Sequence, residues 1–187
     1  TAFNMMSVSL AVILLYTAPA FVTVLSFFFL KEGINLKKVL AVVGTILGCI
    51  LIAGANFSST STVTFSGILI GLGAGFGYAL YTIFGKFALK KYHPFTVTFY
   101  TFLVATVSLV PFTRIWDKGD LLIGEDVLLY ALGLGLFPTV IAYLLYTKGL
   151  EKTEGSKASI IATAEPVVAT LLGIFLYSEN LKVFQIL

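Results

Sequence analysis

Residues 1–30 and 39–85 contain no charged side chain, and the apolar runs within them are each about as long as a membrane span. A helix rising ~1.5 Å per residue needs about 20 mostly apolar residues to cross ~30 Å of hydrocarbon. Charges elsewhere gather in short islands separated by runs of similar length. Composition agrees: 58% of the 187 residues are hydrophobic and 11% are charged, with a mean hydropathy of +1.01. Soluble domains sit near ~45–50% apolar and ~25% charged. So small a globule cannot hide that excess from water. A soluble enzyme, a nucleic-acid binder and a disordered tail are excluded, and the fold class is an all-α polytopic membrane protein.

The polar stretch from Asn56 to Thr62 divides the second long run. Spans are expected near 8–30, 39–55, 67–85, 95–113, 127–147 and 158–178, with partial spans at both ends of the chain. A closed β-barrel requires alternation of polar and apolar residues, which runs such as Ala11-Val12-Ile13-Leu14-Leu15 lack. The chain starts at Thr1 and stops at Leu187 just as another apolar stretch opens, so it reads as a piece of a longer protein. The lone Cys49 permits no internal disulfide.

Lys and Arg number 3 in 31–38, 0 in 56–66, 3 in 86–94, 2 in 114–126, 3 in 148–157 and 1 in 179–182. Alternate loops therefore carry 9 against 3, and the positive-inside rule places loops 31–38, 86–94 and 148–157 in the cytoplasm. A basic cytoplasmic side and a single Cys fit a bacterial inner membrane.

Sliding the chain by 147 residues aligns Ser9, Ala11, Ile13, Pro19, Thr23, Leu25, Phe28 and Glu32 with identical residues at 156, 158, 160, 166, 170, 172, 175 and 179. That is 8 identities in 24 ungapped positions, and Leu36-Lys37 then matches Leu181-Lys182 across a two-residue gap. Chance likeness of apolar helices explains the aliphatic matches but not a shared Pro, Glu and Leu-Lys. The copies lie five spans apart, an odd number, so they run through the membrane in opposite senses. Inverted repeats are a recurring plan of secondary transporters, whose halves rock around a site near the bilayer midplane.

The residues Thr17-Ala18-Pro19-Ala20-Phe21 through Leu30-Lys31-Glu32, and Gly149-Leu150-Glu151-Lys152 through Glu165-Pro166 and Leu176-Tyr177-Ser178-Glu179, resemble the EamA-type repeat of the drug/metabolite transporter superfamily. The resemblance implies two five-helix repeats, ten spans in the full-length protein and cytoplasmic termini. It assigns residues 1–55 to the remainder of the first repeat (the end of span three, then spans four and five). Residues 64–187 become the second repeat, spans six to nine with the start of ten.

Glu165 is the one ionisable side chain well inside an expected span, eight residues past Lys157. That is roughly 12 Å of helix, near the ~15 Å midplane. An ionised carboxylate there costs roughly 2.5–3.5 kcal/mol on insertion scales, so burial should favour the protonated form. Helical spacing groups it with Ala158, Ala162, Ala169 and Gly173. Glu165 reads either as a carboxyl group that binds a substrate amine or exchanges a proton, or as a neutral side chain bonded to a carbonyl freed by proline. Pro19 and Pro166 remove a donor in mid-span and free the carbonyls of Leu15 and Ala162, either gating a cavity or bending a helix for packing. Pro138 is a weaker case of the same kind.

Tyr78, Tyr81 and Thr17 are further candidates for substrate contact, though aromatics facing lipid or protein are equally common. Glu32 and Glu179 fall at expected helix ends, where fixing an end is a more economical role than touching substrate. Gly67, Gly71 and Gly75, like Gly44 and Gly48, have the four-residue spacing that lets membrane helices approach closely; the G-x-G-x-x-G nucleotide spacing is absent. Tyr92, Tyr100 and Trp116 suit the interfacial belt, and His93 a solvated loop.

The chain has no G-x-x-x-x-G-K-[ST] loop, no H-E-x-x-H and no G-x-S-x-G. It is therefore read as a transporter and not an enzyme, with no cofactor and no metal. With no Lys or Arg deep in any complete span, phosphorylated substrates are disfavoured. The expected partners are the lipid bilayer and a small-molecule substrate, with proton coupling and a homodimer as open arrangements and no role for nucleic acid. Alternating-access export of amino acids or related amphipathic metabolites is the first reading. Efflux of cationic drugs, or a non-transporting scaffold or sensor, are the alternatives.

Overall fold

The computed structural model describes residues 8–52, 65–113 and 125–177. Glu179, Trp116, the loop cores 56–64 and 114–124 and the final apolar stretch lie outside the described residues. Among these residues there is no strand, and nearly all of them are helical. Lipid offers no partner for backbone N–H and C=O groups, and a helix satisfies them within one segment.

The helices are α1 (Val8–Leu15), α2 (Ala18–Leu25), α3 (Leu36–Ile52), α4 (Phe65–Ala88), α5 (Pro94–Thr113), α6 (Glu125–Leu134), α7 (Ala142–Lys152), α8 (Gly155–Ala162) and α9 (Glu165–Tyr177). A π-helical turn, Ser26–Leu30, extends α2, and another, Gly135–Ile141, joins α6 to α7. Four stretches are long and apolar enough to cross a bilayer: Ile13–Leu30, Phe65–Ala88, Pro94–Thr113 and Val127–Lys152. The expected span 39–55 falls on α3, which has 17 residues. The expected span 158–178 falls on the interrupted pair α8 and α9.

Local signals explain several boundaries. Asn35 accepts a hydrogen bond from the Lys38 N–H at 2.9 Å and starts α3. Pro138 cannot donate to the Leu134 carbonyl four residues back, but a π turn pairs each carbonyl with the N–H five residues on, and the Thr139 hydroxyl also donates to the Leu134 carbonyl at 2.9 Å. The wider π turn therefore absorbs this proline without breaking the helix. Lys31 ends the first π turn with φ 56°, a left-handed conformation usually given to glycine. Its N–H and that of Glu32 both return to the Ser26 carbonyl.

The described residues pack as two compact units, one formed by Thr1–Phe84 with Thr153–Leu187, the other by Gly85–Lys152. In the first, α2 rests on α3 and α8, and α1, α8 and α9 also touch α3. Most of its buried side chains are small, among them Ala18, Val22, Ser26, Ala79, Thr82, Ser156 and Ser159. Such residues let helices approach where lipid removes the hydrophobic drive for association. Phe21 meets Phe76 edge-on at 5.7 Å. In the second unit α5 packs on α7, joined by a buried Thr98–Thr147 hydroxyl contact of 3.2 Å. Lys86 there donates to the Leu150 and Glu151 carbonyls at 2.7 and 3.2 Å, capping the end of α7.

Outward faces stay apolar, with Leu109, Phe112, Leu129 and Phe137 all more than half exposed. Water would penalise such a surface; the acyl chains of a bilayer do not.

Gly71 and Gly75 are close-approach points. A Cβ at Gly71 would lie 2.7 Å from the Leu14 side chain, and one at Gly75 would lie 3.1 and 3.2 Å from the Leu14 and Leu15 carbonyl oxygens. Gly44 and Gly48 differ, since a Cβ there would meet nothing within 4 Å. The spacing is the same, but among the described residues Gly71 and Gly75 have a neighbour against them and Gly44 and Gly48 do not.

Candidate functional site

The segments related by the 147-residue shift are interrupted at corresponding places. Helix α1 ends at Leu15 and α2 starts at Ala18; α8 ends at Ala162 and α9 starts at Glu165. Tyr16-Thr17 forms one turn and Thr163-Ala164 the other. Each contains a threonine that closes the preceding helix on itself. The Thr17 hydroxyl donates to the Leu14 carbonyl at 2.6 Å, and the Thr163 hydroxyl to the Ile160 carbonyl at 2.6 Å.

The prolines are thus placed differently from the mid-helix kinks expected of them. Pro19 and Pro166 are each the second residue of a new helix. The first N–H groups of a helix have no partner within it, so a proline there forfeits nothing and its fixed φ suits the start. The interruption also corrects the continuous small-residue face drawn through Ala158, Ala162, Glu165 and Ala169, because residues 163–164 turn between Ala162 and Glu165.

Both interruptions border one cleft of about 70 Å³. Leu15, Tyr16, Ala18 and Pro19 line it from the first segment, Ser159, Ala162, Thr163 and Glu165 from the second, and Tyr78 from α4. The Tyr16 phenol reaches the Glu165 carboxyl group, so the two segments meet through polar side chains. Glu165, the first residue of α9, is exposed where it borders the cleft. A carboxylate at a helix start faces the positive end of the helix dipole. The cleft accordingly offers one carboxyl group, two phenols and two hydroxyls on an otherwise apolar wall. That set suits an amine or another small amphipathic molecule. Among the described residues, no three His, Cys, Asp or Glu side chains converge as metal ligands do.

Of the residues singled out in the sequence, Glu165, Tyr78 and Pro19 come together here. Thr17 turns its hydroxyl to its own backbone, and Pro166 follows Glu165 in the first turn of α9. Tyr81 lies one turn along α4, its ring 6.4 Å from that of Tyr78. Glu32 is outside the cleft, where it accepts hydrogen bonds from the Gly155 N–H at 2.7 Å, the Ser156 N–H at 3.2 Å and the Ser156 hydroxyl at 2.5 Å. Tyr16, Ser159 and Thr163 were not singled out. Tyr16 and Thr163 occupy equivalent positions of the repeat, three residues before its proline, and that placement was the available signal.

Apolar helices of spanning length, with two interrupted segments facing one cleft, define an integral membrane protein of polytopic type. Residues 1–54 and 65–187 match the EamA-like transporter family, and the chain belongs to it. An uncharacterized transporter of Archaeoglobus fulgidus is 36% identical over 179 residues, covering 94% of this chain and 61% of that protein. A second from the same organism is 31% identical over 180 residues, covering 96% and 62%. An uncharacterized transporter of Bacillus subtilis is 33% identical over 175 residues, covering 91% and 57%. The chain spans about three fifths of the length of these relatives.

Proposed function

We propose that the protein is a secondary transporter that moves small metabolites by alternating access, with the cleft at the two helix interruptions as its substrate site. The observation that carries this reading is the matched pair of breaks, one in each copy of a repeated segment, bordering a cleft that contains a carboxyl group. Discontinuous helices paired across a repeat are the usual construction of midplane binding sites in such proteins, with helix ends directed at the ligand. The repeat assignment, residues 1–55 and 64–187, and its inversion belong to this proposal. So does a cell-membrane location with loops 31–38, 86–94 and 148–157 in the cytoplasm.

The first substrate class is amino acids or related amphipathic compounds, exported with Glu165 receiving the amine or carrying a coupled proton. Glu165 beside Tyr16 and Tyr78 also favours a second reading, efflux of organic cations, because a carboxylate flanked by phenols suits a positive charge. The test is exchange of labelled amino acids by the full-length protein in proteoliposomes, with and without a pH gradient, for the native protein and Glu165→Gln. Saturable exchange lost or uncoupled from pH in Glu165→Gln supports the proposal. Exchange unchanged by the substitution keeps the transporter and removes Glu165 from its centre. No exchange of amino acids or of cationic dyes leaves a non-transporting scaffold.

A further inference from the structure

Between the cleft and the 31–38 loop, α2 and α8 meet along a closed seam. Ala18 is 4% exposed, Val22 and Ser26 are fully buried, and Ser156 and Ser159 are each 1% exposed. The helices touch so closely that a Cβ on Gly155 would lie 3.1 Å from the Ser26 hydroxyl oxygen. Past Ser26 the seam ends at Glu32. This side chain leaves the first segment and caps α8 of the second through the Gly155 and Ser156 N–H groups and the Ser156 hydroxyl. Such a cap satisfies backbone donors that the helix cannot satisfy itself and sets a negative charge against the positive helix end. Lys38 ties the arrangement down: buried, it donates to the Gly33 carbonyl at 2.9 Å, pairs with Glu154 at 2.8 Å and lies 3.8 Å from Glu32.

One group in the seam gains nothing from its closure. The Ser26 hydroxyl is buried with no hydrogen-bond partner among the described residues, a cost that water entering an open seam would relieve. The closed seam is thus held by the Glu32 cap at its end and weakened by Ser26 within.

We propose that Glu32 is a latch: its cap on α8 holds the α2–α8 seam shut between the cleft and the loop 31–38 face, and its release opens the cleft to that face. The inference rests on the cleft being the transport site, but its test does not require transport. A single reporter cysteine at Ser159, which lines the cleft, is made in full-length protein carrying Cys49→Ala. A membrane-impermeant maleimide is then applied to the membrane face that bears residues 31–38. With Glu32 intact, labelling should be slow. In Glu32→Gln, which keeps the shape but weakens the cap, the rate should rise at least 10-fold. Gly155→Ala, which wedges the seam against Ser26 and leaves Glu32 in place, should raise it as well. Labelling already fast with Glu32 intact, or unchanged in both variants, overturns the latch whether or not the protein transports. Fast labelling in the variants together with failed exchange in proteoliposomes overturns the transport reading alone.

Discussion

Gly75 lies against the Leu14 carbonyl oxygen so closely that a Cβ would stand 3.1 Å from it. The neighbouring Leu15 carbonyl, at the end of α1, lies at 3.2 Å from the same point. A glycine of α4 therefore seats the first helix interruption, where any side chain would push on backbone rather than on a flexible neighbour. Gly75→Ala should lower full-length stability by about 1–3 kcal/mol, the usual range for overpacking. Gly44→Ala, which meets open space, should be neutral or stabilise by up to about 1 kcal/mol through helix propensity. Thermal unfolding in detergent distinguishes them, and equal losses at both positions would contradict the seat.

The Thr139 hydroxyl donates to the Leu134 carbonyl, which Pro138 itself cannot serve. Removing that hydroxyl in Thr139→Ala should cost about 0.6–1.7 kcal/mol, the range for hydrogen bonds within membrane proteins. In a Pro138→Ala background the regular donor returns, so the cost should fall below half. A double-mutant cycle showing strict additivity would argue against the pairing.

Tyr16→Phe keeps the wall of the cleft and removes the phenol that reaches Glu165. If Tyr16 orients the carboxylate for an amine, KM for that substrate should rise about 10-fold, worth about 1.4 kcal/mol, with kcat little changed. The same substitution in a Glu165→Gln background should have a smaller effect. A fall in kcat at constant KM would assign Tyr16 to the conformational step.

Hydrogen bonds from Lys38, then Lys157, hold the Glu154 carboxyl below its ordinary value of 4.5. A depressed carboxylate pKa contributes stability that is complete above the ordinary value and is lost as pH falls through the folded-state value. The thermal midpoint of the native protein should therefore drop between about pH 5 and pH 3 more than that of Glu154→Gln. Glu154 is partly exposed, so the difference should shrink in high salt.

Lys31 holds a left-handed φ of 56°. A side chain in this region costs roughly 1–2 kcal/mol, so Lys31→Gly should raise the thermal midpoint, and Lys31→Val should lower it because β-branching makes the same conformation harder.

Much of the candidate site was legible without coordinates. A Glu eight residues into an expected span, a Pro at matched positions under the 147-residue shift and a Tyr within the expected span 67–85 pointed to Glu165, Pro19 and Tyr78, and these three border the cleft. Thr17 was named as a candidate for substrate contact, but its hydroxyl serves the Leu14 carbonyl. Tyr16 was passed over because one tyrosine in an apolar helix carries no local mark of its partner.

What the sequence determined by itself are quantities summed over neighbouring residues. Hydropathy over some 20 positions and the absence of charge in the long runs make the chain helical and membrane-embedded, and the recurrence of Pro and Glu at a fixed shift marks two of its segments as alike. Tertiary structure decided everything that depends on a partner distant in the chain. Proline alone permits a bend, a π turn or a complete break. Pro138 joins a π turn whose wider pairing serves the Leu134 carbonyl; Pro19 starts a new helix where Thr17 closes the old one and Gly75 admits the bared backbone. Likewise a carboxylate at a helix end has no intrinsic target. Glu32 acquires one because α8 brings unpaired N–H groups from more than a hundred residues away, and only the packing of α2 on α8 places them within reach.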